Sequence, residues 1–169
     1  GFLDLALLVE ESGRALLPGP LVETAVMFPV AMRASDPAQR QRWLPAIASG
    51  DALATMALAG PEGWPLPAGI AARARPSGSE WVLDGEALLV PFGQLAQVVL
   101  VPARTSAGSG ADGVSLFVIE AGDRGVSWQP LVGLDPTVRL AALGLEAVRL
   151  TADRLIGQQN DLKLGGGII

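Results

Sequence analysis

Residues 36–61 read DPAQRQRWLPAIASGDALATMALAGP, a charged helical stretch that hands over to an apolar strand and then to a Gly-Pro turn. Asp36 stands as the N-cap, with Pro37 at the first helical position and Gln39 at the third. Its carboxylate can take up a free amide of the first turn while Gln39 reaches back to the cap, a capping-box pattern. Gly50 stops the helix. The stretch is therefore a junction between a helical part and a strand-rich part of the chain.

Upstream of it, Phe2, Leu5, Val9 and Leu16 fall at helical spacing, and Glu10 and Arg14 form a favourable i,i+4 pair on another face. Pro18-Gly19-Pro20 ends that helix. A second apolar helix over 22–34 carries Pro29 inside it and is expected to kink or break there, because proline has no amide to donate.

Downstream, short apolar runs separated by turn residues fit an all-β unit better than alternating strands and helices. The pattern predicts strands over 52–58, 70–75, 80–84, 87–91, 97–103, 114–120, 126–131 and 139–150, with Asp84-Gly85 as a hairpin turn. Strands of this number and length suggest a small barrel or two packed sheets. The segment 105–113, TSAGSGADG, reads as a flexible hairpin loop. It lacks the Lys-Ser/Thr and the following helix of a phosphate loop.

Composition narrows the function. The chain has 169 residues, half of them hydrophobic, with a formal net charge of -5. That is a globular composition with no basic run to hold phosphates, so nucleic acid is not an expected partner. It has no Cys, no His and no Tyr. These absences remove disulfides, Ser-His-Asp and Cys-His catalysis and ordinary zinc sites, and are compatible with a reducing cytoplasm. The uncharged stretch 87–103 is broken by Pro91, Gln94, Gln97 and Pro102, so no membrane-spanning helix is expected. Gly1 opens directly into an amphipathic pattern without a basic region before it, unlike a signal peptide. A chain that starts without Met in mid-helix reads as a fragment.

The junction resembles the acyl-CoA dehydrogenase family, in which Gln-Lys-x-Arg-aromatic-Leu-Pro-x-x-x-x-Gly closes an N-terminal helical domain and leads into a middle β-domain. Gln39, Arg42, Trp43, Leu44, Pro45 and Gly50 match in place. A later block is similar to the family's last strands and its Pro-Ala-x-x-Leu-Leu-Gly exit: Leu134-Asp135-Pro136-Thr137, Arg139-Leu140, and 151–157, with Thr151 in the proline position. The resemblance implies an α+β fold, a helical segment followed by an antiparallel β-barrel, with the C-terminal helical domain not represented. The implied domains are 1–50, the end of the helical domain; 51–157, the middle β-barrel; and 158–169, a linker.

The resemblance also implies FAD, held between the β-domain and the missing helices. The family's Thr-Glu-Pro-x-x-Gly-Ser motif aligns with 59–65, placing Ala59 at the threonine, Gly60 at the glutamate, Pro61 at the proline and Pro65 at the serine. The second flavin segment, Gly-x-Lys-x-Trp-Ile-Thr-Asn, resembles 85–92, with Leu89 at the tryptophan and Pro91 at the threonine. Leu58, Ala59, Gly60, Leu89, Val90 and Pro91 are thus the implied cofactor contacts and Pro65 the implied acyl-CoA contact. Phe92 is a neighbouring source of an aromatic ring. The family's carboxylate base lies in the C-terminal domain, so no catalytic residue is assigned.

The implied activity is FAD-dependent α,β-dehydrogenation of an acyl-CoA thioester by a cytoplasmic oligomer that passes electrons to an acceptor flavoprotein. The altered motif side chains leave a second possibility, a non-catalytic subunit that packs with an active partner. Glu10, Glu11, Glu62 and Glu146 read as surface carboxylates, Arg40 and Arg42 as a solvated helix face, and Trp43, Trp81 and Trp128 as packing residues. Trp64 sits in the motif loop, where it either fills an unused site or touches a ligand.

Overall fold

The computed structural model describes residues 1–61, 67–107 and 111–159, with the backbone alone at Phe2 and Ala68. Helix α1 (Phe2–Arg14) carries the expected ion pair, Arg14 lying 3.4 Å from Glu10 and 3.3 Å from Glu11. Leu5 and Val9 are half-buried, but the helix ends before Leu16, which stands exposed at φ 51°.

The apolar segment around Pro29 breaks as its proline requires. Residues Glu23–Met27 form a π-helical turn closed by the Phe28 amide donating to the Glu23 carbonyl, followed by α2 (Phe28–Ala31) and a 3-10 turn (Met32–Ala34). Pro29 has no amide for the Ala25 carbonyl, and the wider turn before it takes up the mismatch. The Thr24 hydroxyl fixes this turn to the sheet: it donates to the Ala54 carbonyl at 2.7 Å and accepts from the Ala54 amide at 3.1 Å.

Helix α3 (Pro37–Ser49) begins on the expected capping box, with the Gln39 amide donating to Asp36 Oδ1 at 2.8 Å and the Asp36 amide donating to Gln39 Oε1 at 3.0 Å. Gly50 ends it in the left-handed region, at φ 80°. The Gln39 side chain does a second task, since its Nε2 donates to the Asp153 and Leu155 carbonyls at 2.6 and 2.8 Å. Arg40 and Arg42 are not simply solvated. Arg40 donates to the Ser35 carbonyl, and Arg42 pairs with Glu120 at 2.7 Å and Asp153 at 3.7 Å. Arg154 joins the same cluster at 2.6 Å from Glu120, and both guanidinium groups lie over the Trp43 ring. The helix motif and the exit motif thus clasp each other.

The strands are β1 (Ala54–Met56), β2 (Arg73–Ser77), β3 (Glu80–Pro91), β4 (Val98–Arg104), β5 (Val114–Glu120), β6 (Val126–Leu131), β7 (Leu140–Thr151) and β8 (Leu155–Ile156). They form one sheet in the order β6-β7-β3-β2-β4-β5-β8, with β1 against β4. Two expectations are corrected here. The sheet is not a closed antiparallel barrel: no ladder joins β6 to β8 among the described residues, and β4 pairs with β1 and β2 in parallel. Asp84-Gly85 is not a turn, because the two runs 80–84 and 87–91 are one strand that pairs along its length with β7. The hairpin turn is Gly78-Ser79, between the paired Ser77 and Glu80.

Gly85 serves a bulge within β3. At φ 130° its added Cβ would stand 2.9 Å from the Ala72 Cα, so the backbones approach too closely for another residue. Asp84 beside it accepts a hydrogen bond from the Ala147 amide at 2.8 Å. Long-range pairing has overruled a good local turn signal.

β4 and β5 are buried on both faces, which explains their continuous apolar sequence. Val98, Leu100, Leu116 and Val118 pack with Phe28, Met32 and Trp43 under the helices. Val99, Val101, Phe117 and Ile119 join Trp81, Leu83, Leu143 and Leu150 in a larger core on the other face. Trp81 and Phe117 meet edge to face with centroids 5.4 Å apart. Trp43 and Trp81 are packing residues, and Trp128, half-buried, packs against the larger core.

The exposed Leu134-Asp135-Pro136-Thr137 segment is closed locally. Asp135 Oδ1 accepts from the Thr137 hydroxyl at 2.6 Å and its amide at 2.8 Å, and these two bonds hold the carboxyl below its ordinary value. A lowered carboxyl stabilises the loop above the unfolded value and loses that contribution as pH falls through the folded one. Thr137→Val is expected to move the Asp135 titration back toward the ordinary value. NMR of the carboxyl carbon against pH checks this, and an unchanged titration contradicts it.

Candidate functional site

Leu58 leaves β1 for an irregular segment that is tied to β3 by a single bridge, with the Leu88 amide donating to the Ala59 carbonyl at 2.8 Å. Thr55 adds a second tie, its buried hydroxyl donating to the Pro91 carbonyl at 2.6 Å. These bonds bring Leu58 and Ala59 beside Leu89 and Pro91. Together with Met56 they form the sheet side of an open cavity of about 290 Å³ whose other side is the π-helical turn, through Glu23 and Met27.

Leu89 is placed there by strain. Between Ala87 and Val90 the register with β7 shifts, Leu89 takes φ 55°, and its side chain is 44 % exposed. A left-handed leucine costs on the order of 1–2 kcal/mol. The bulge turns that side chain out of the sheet pattern and toward the cavity, as bulges near functional sites commonly do.

The remaining residues singled out from the sequence are placed differently. Val90 is fully buried in the larger core, on the far side of the bulge from the cavity. Gly60 is buried against the backbone: a Cβ there would stand 1.7 Å from the Gly69 carbonyl oxygen. Phe92 is also buried, at φ 52°, and its ring is not part of the cavity lining. Pro65, together with Glu62 and Trp64, lies outside the described residues.

Glu23, Met27 and Met56 are lining residues that the strand and motif analysis missed. For Glu23 and Met27 the one hint was in 21–28, LVETAVMF, where an acidic residue interrupts an apolar helix with Met four positions on, and Met56 lies within the strand expected over 52–58. Among the described residues none of the lining side chains carries a hydroxyl or an amide, and Glu23 is the charged one. The cavity can therefore accept a flat apolar group on its sheet side and meet it with a carboxylate from its helical side. Among the described residues no group of His, Cys, Asp or Glu is arranged to hold a metal ion, and no helix is long and apolar enough to cross a membrane.

No family model matches the chain. Acyl-CoA dehydrogenase FadE12 of Mycobacterium tuberculosis is 32% identical over 165 residues, covering 95% of this chain and 42% of that protein. The mitochondrial long-chain specific acyl-CoA dehydrogenase of Sus scrofa is 31% identical over 148 residues, covering 85% of this chain and 34% of its own length. Among solved structures, a glutaryl-CoA dehydrogenase from Mycobacterium smegmatis in complex with FADH2 superposes with a TM-score of 0.75 at 28% identity, covering 85% of this chain and 37% of that one. The chain spans less than half the length of each of these relatives. Sequence relatives and structural neighbours agree over nearly all of it: the chain belongs to the acyl-CoA dehydrogenase family.

Proposed function

We propose that this chain is the flavin-facing part of an FAD-dependent oxidoreductase that dehydrogenates an acyl-CoA thioester between its α and β carbons. The observation that carries this is the meeting of Leu58 and Ala59 with Leu89 and Pro91 in one cavity, since these are the two segments that resemble the family's flavin contacts. In this proposal residues 1–50 end a helical domain, 51–157 form the middle β-domain, and 158–169 lead to C-terminal helices that supply a further wall and the carboxylate base.

The apolar sheet side suits the face of an isoalloxazine ring. Ala59 and Pro91 bring no hydroxyl to it, so hydrogen bonds to the ring fall to main-chain groups, which do not depend on side-chain identity. Each hydroxyl bond forgone weakens binding by about 0.5–1.5 kcal/mol. Bound FAD would supply the hydride acceptor. The residues described here would hold and orient it and keep water from its sheet-side face. Acyl-CoA as substrate, an electron-accepting flavoprotein, assembly with itself or a related subunit, and a cytoplasmic location belong to the same proposal.

A second reading, a non-catalytic subunit, is favoured by the absence of any hydroxyl or amide side chain among the described residues of the cavity lining. Dye reduction by the full-length protein with a panel of acyl-CoAs separates the two. Reduction with at least one thioester is expected. No reduction until a related subunit is added would reject the first reading and support the second.

A further inference from the structure

The proposed function leaves the helical side of the cavity unused. A ring laid on Leu58, Ala59, Leu89 and Pro91 has the π-helical turn across from it, so a group placed between that ring and the turn lies against Glu23 and Met27. Glu23 is half-buried, and among the described residues its carboxylate has no hydrogen-bond or ion-pair partner. Its position is fixed: the Thr24 hydroxyl is bonded twice to Ala54, and Phe28 on the same turn is fully buried.

A carboxylate held at the edge of a cavity whose other described lining residues are apolar favours a ligand that brings a hydrogen-bond donor or positive charge. It disfavours one that brings a second carboxylate, because like charges repel more strongly where water is partly excluded. Resting on the function proposed above, we propose that Glu23 is a specificity residue that selects acyl groups carrying a donor, ammonium most strongly, and rejects acyl groups that end in a carboxylate. The glutaryl-CoA dehydrogenase neighbour is named for an acyl group of the rejected kind, so likeness of fold does not extend to that substrate.

The test uses the full-length protein and three CoA thioesters of equal chain length ending in methyl, ammonium or carboxylate, with binding measured calorimetrically and the methyl-ended thioester as reference. The ammonium-ended thioester is expected to bind more tightly than the reference and the carboxylate-ended one more weakly, each on the order of tenfold at low salt. Glu23→Gln is expected to bring both ratios close to one, and Glu23→Lys to invert them, with unchanged melting temperatures showing that both variants fold. Ratios that are the same in the wild type and in Glu23→Gln overturn the inference while leaving acyl-CoA binding intact. Failure to bind any of the three thioesters overturns both this inference and the proposed function.

Discussion

Gln39→Leu is expected to cost the full-length protein about 3 kcal/mol of unfolding free energy, far more than an average helix-surface substitution. Gln39 is only 5 % exposed, and its side chain satisfies three main-chain groups: the Asp36 amide and the Asp153 and Leu155 carbonyls. Leucine fills the space and leaves all three without their partner. A buried polar group left unpaired costs about 1–3 kcal/mol, and the Asp36 end lies near enough to solvent to recover part of its share. Gln39→Glu separates the contributions. It can still accept from the Asp36 amide but, when ionised, turns a negative charge toward two carbonyl oxygens. Its carboxyl is therefore raised above about 4.3, and the variant should regain stability as pH falls through that raised value and one donor returns. Urea unfolding of both variants between neutral and mildly acidic pH checks this. A loss below 1 kcal/mol for Gln39→Leu would contradict the clasp between α3 and the strand exit.

Gly60→Glu is expected to be the other severe change, although it restores the residue that the family motif places there. The Cβ of any residue at position 60 meets the Gly69 carbonyl oxygen at 1.7 Å and its carbon at 2.9 Å. Relief requires the 3-10 turn Pro67–Gly69 to move, because the obstacle is backbone and not the end of a flexible side chain. Overpacking of this kind costs about 1–3 kcal/mol where neighbours yield and more where they do not. Gly60→Ala should thus lose nearly as much stability as Gly60→Glu, since the collision begins at Cβ. Thermal unfolding of the two variants side by side tests this. A tolerated alanine with a disruptive glutamate would mean that charge, and not space, fixes glycine at position 60.

How far the fold is legible in the sequence depends on the range of the interaction that decides each element. The capping box at Asp36 and Gln39 and the stop at Gly50 are local, and the structure has both. The break at Pro29 is local as well, though its form, a π-helical turn, depends on how the chain regains its phase before α2. Asp84-Gly85 misled because a good turn dipeptide sits where β3 must continue to reach β7, and only the paired strand decides that. Arg42 looked solvated because its partners, Glu120 and Asp153, are far from it along the chain and only the folded sheet brings them to it.

The candidate site was legible by half. Leu58, Ala59, Leu89 and Pro91 meet where the motif resemblance assigns them to one ligand. Val90 and Gly60 share those motifs yet turn away, one because the bulge at Leu89 sends its neighbour into the core, the other because Gly69 occupies its side-chain space. The helical wall was hidden, since Glu23 and Met27 face the cavity only once the π turn and the Thr24 bonds have set their direction.

The proposed function requires the cavity to hold a flavin through apolar surface and main-chain groups without the family's hydroxyls. The visible absorption spectrum of the purified full-length protein, recorded before and after incubation with FAD and desalting, tests this most directly. Protein-bound flavin absorbance is the result expected. A colourless protein that retains no FAD after incubation would contradict it.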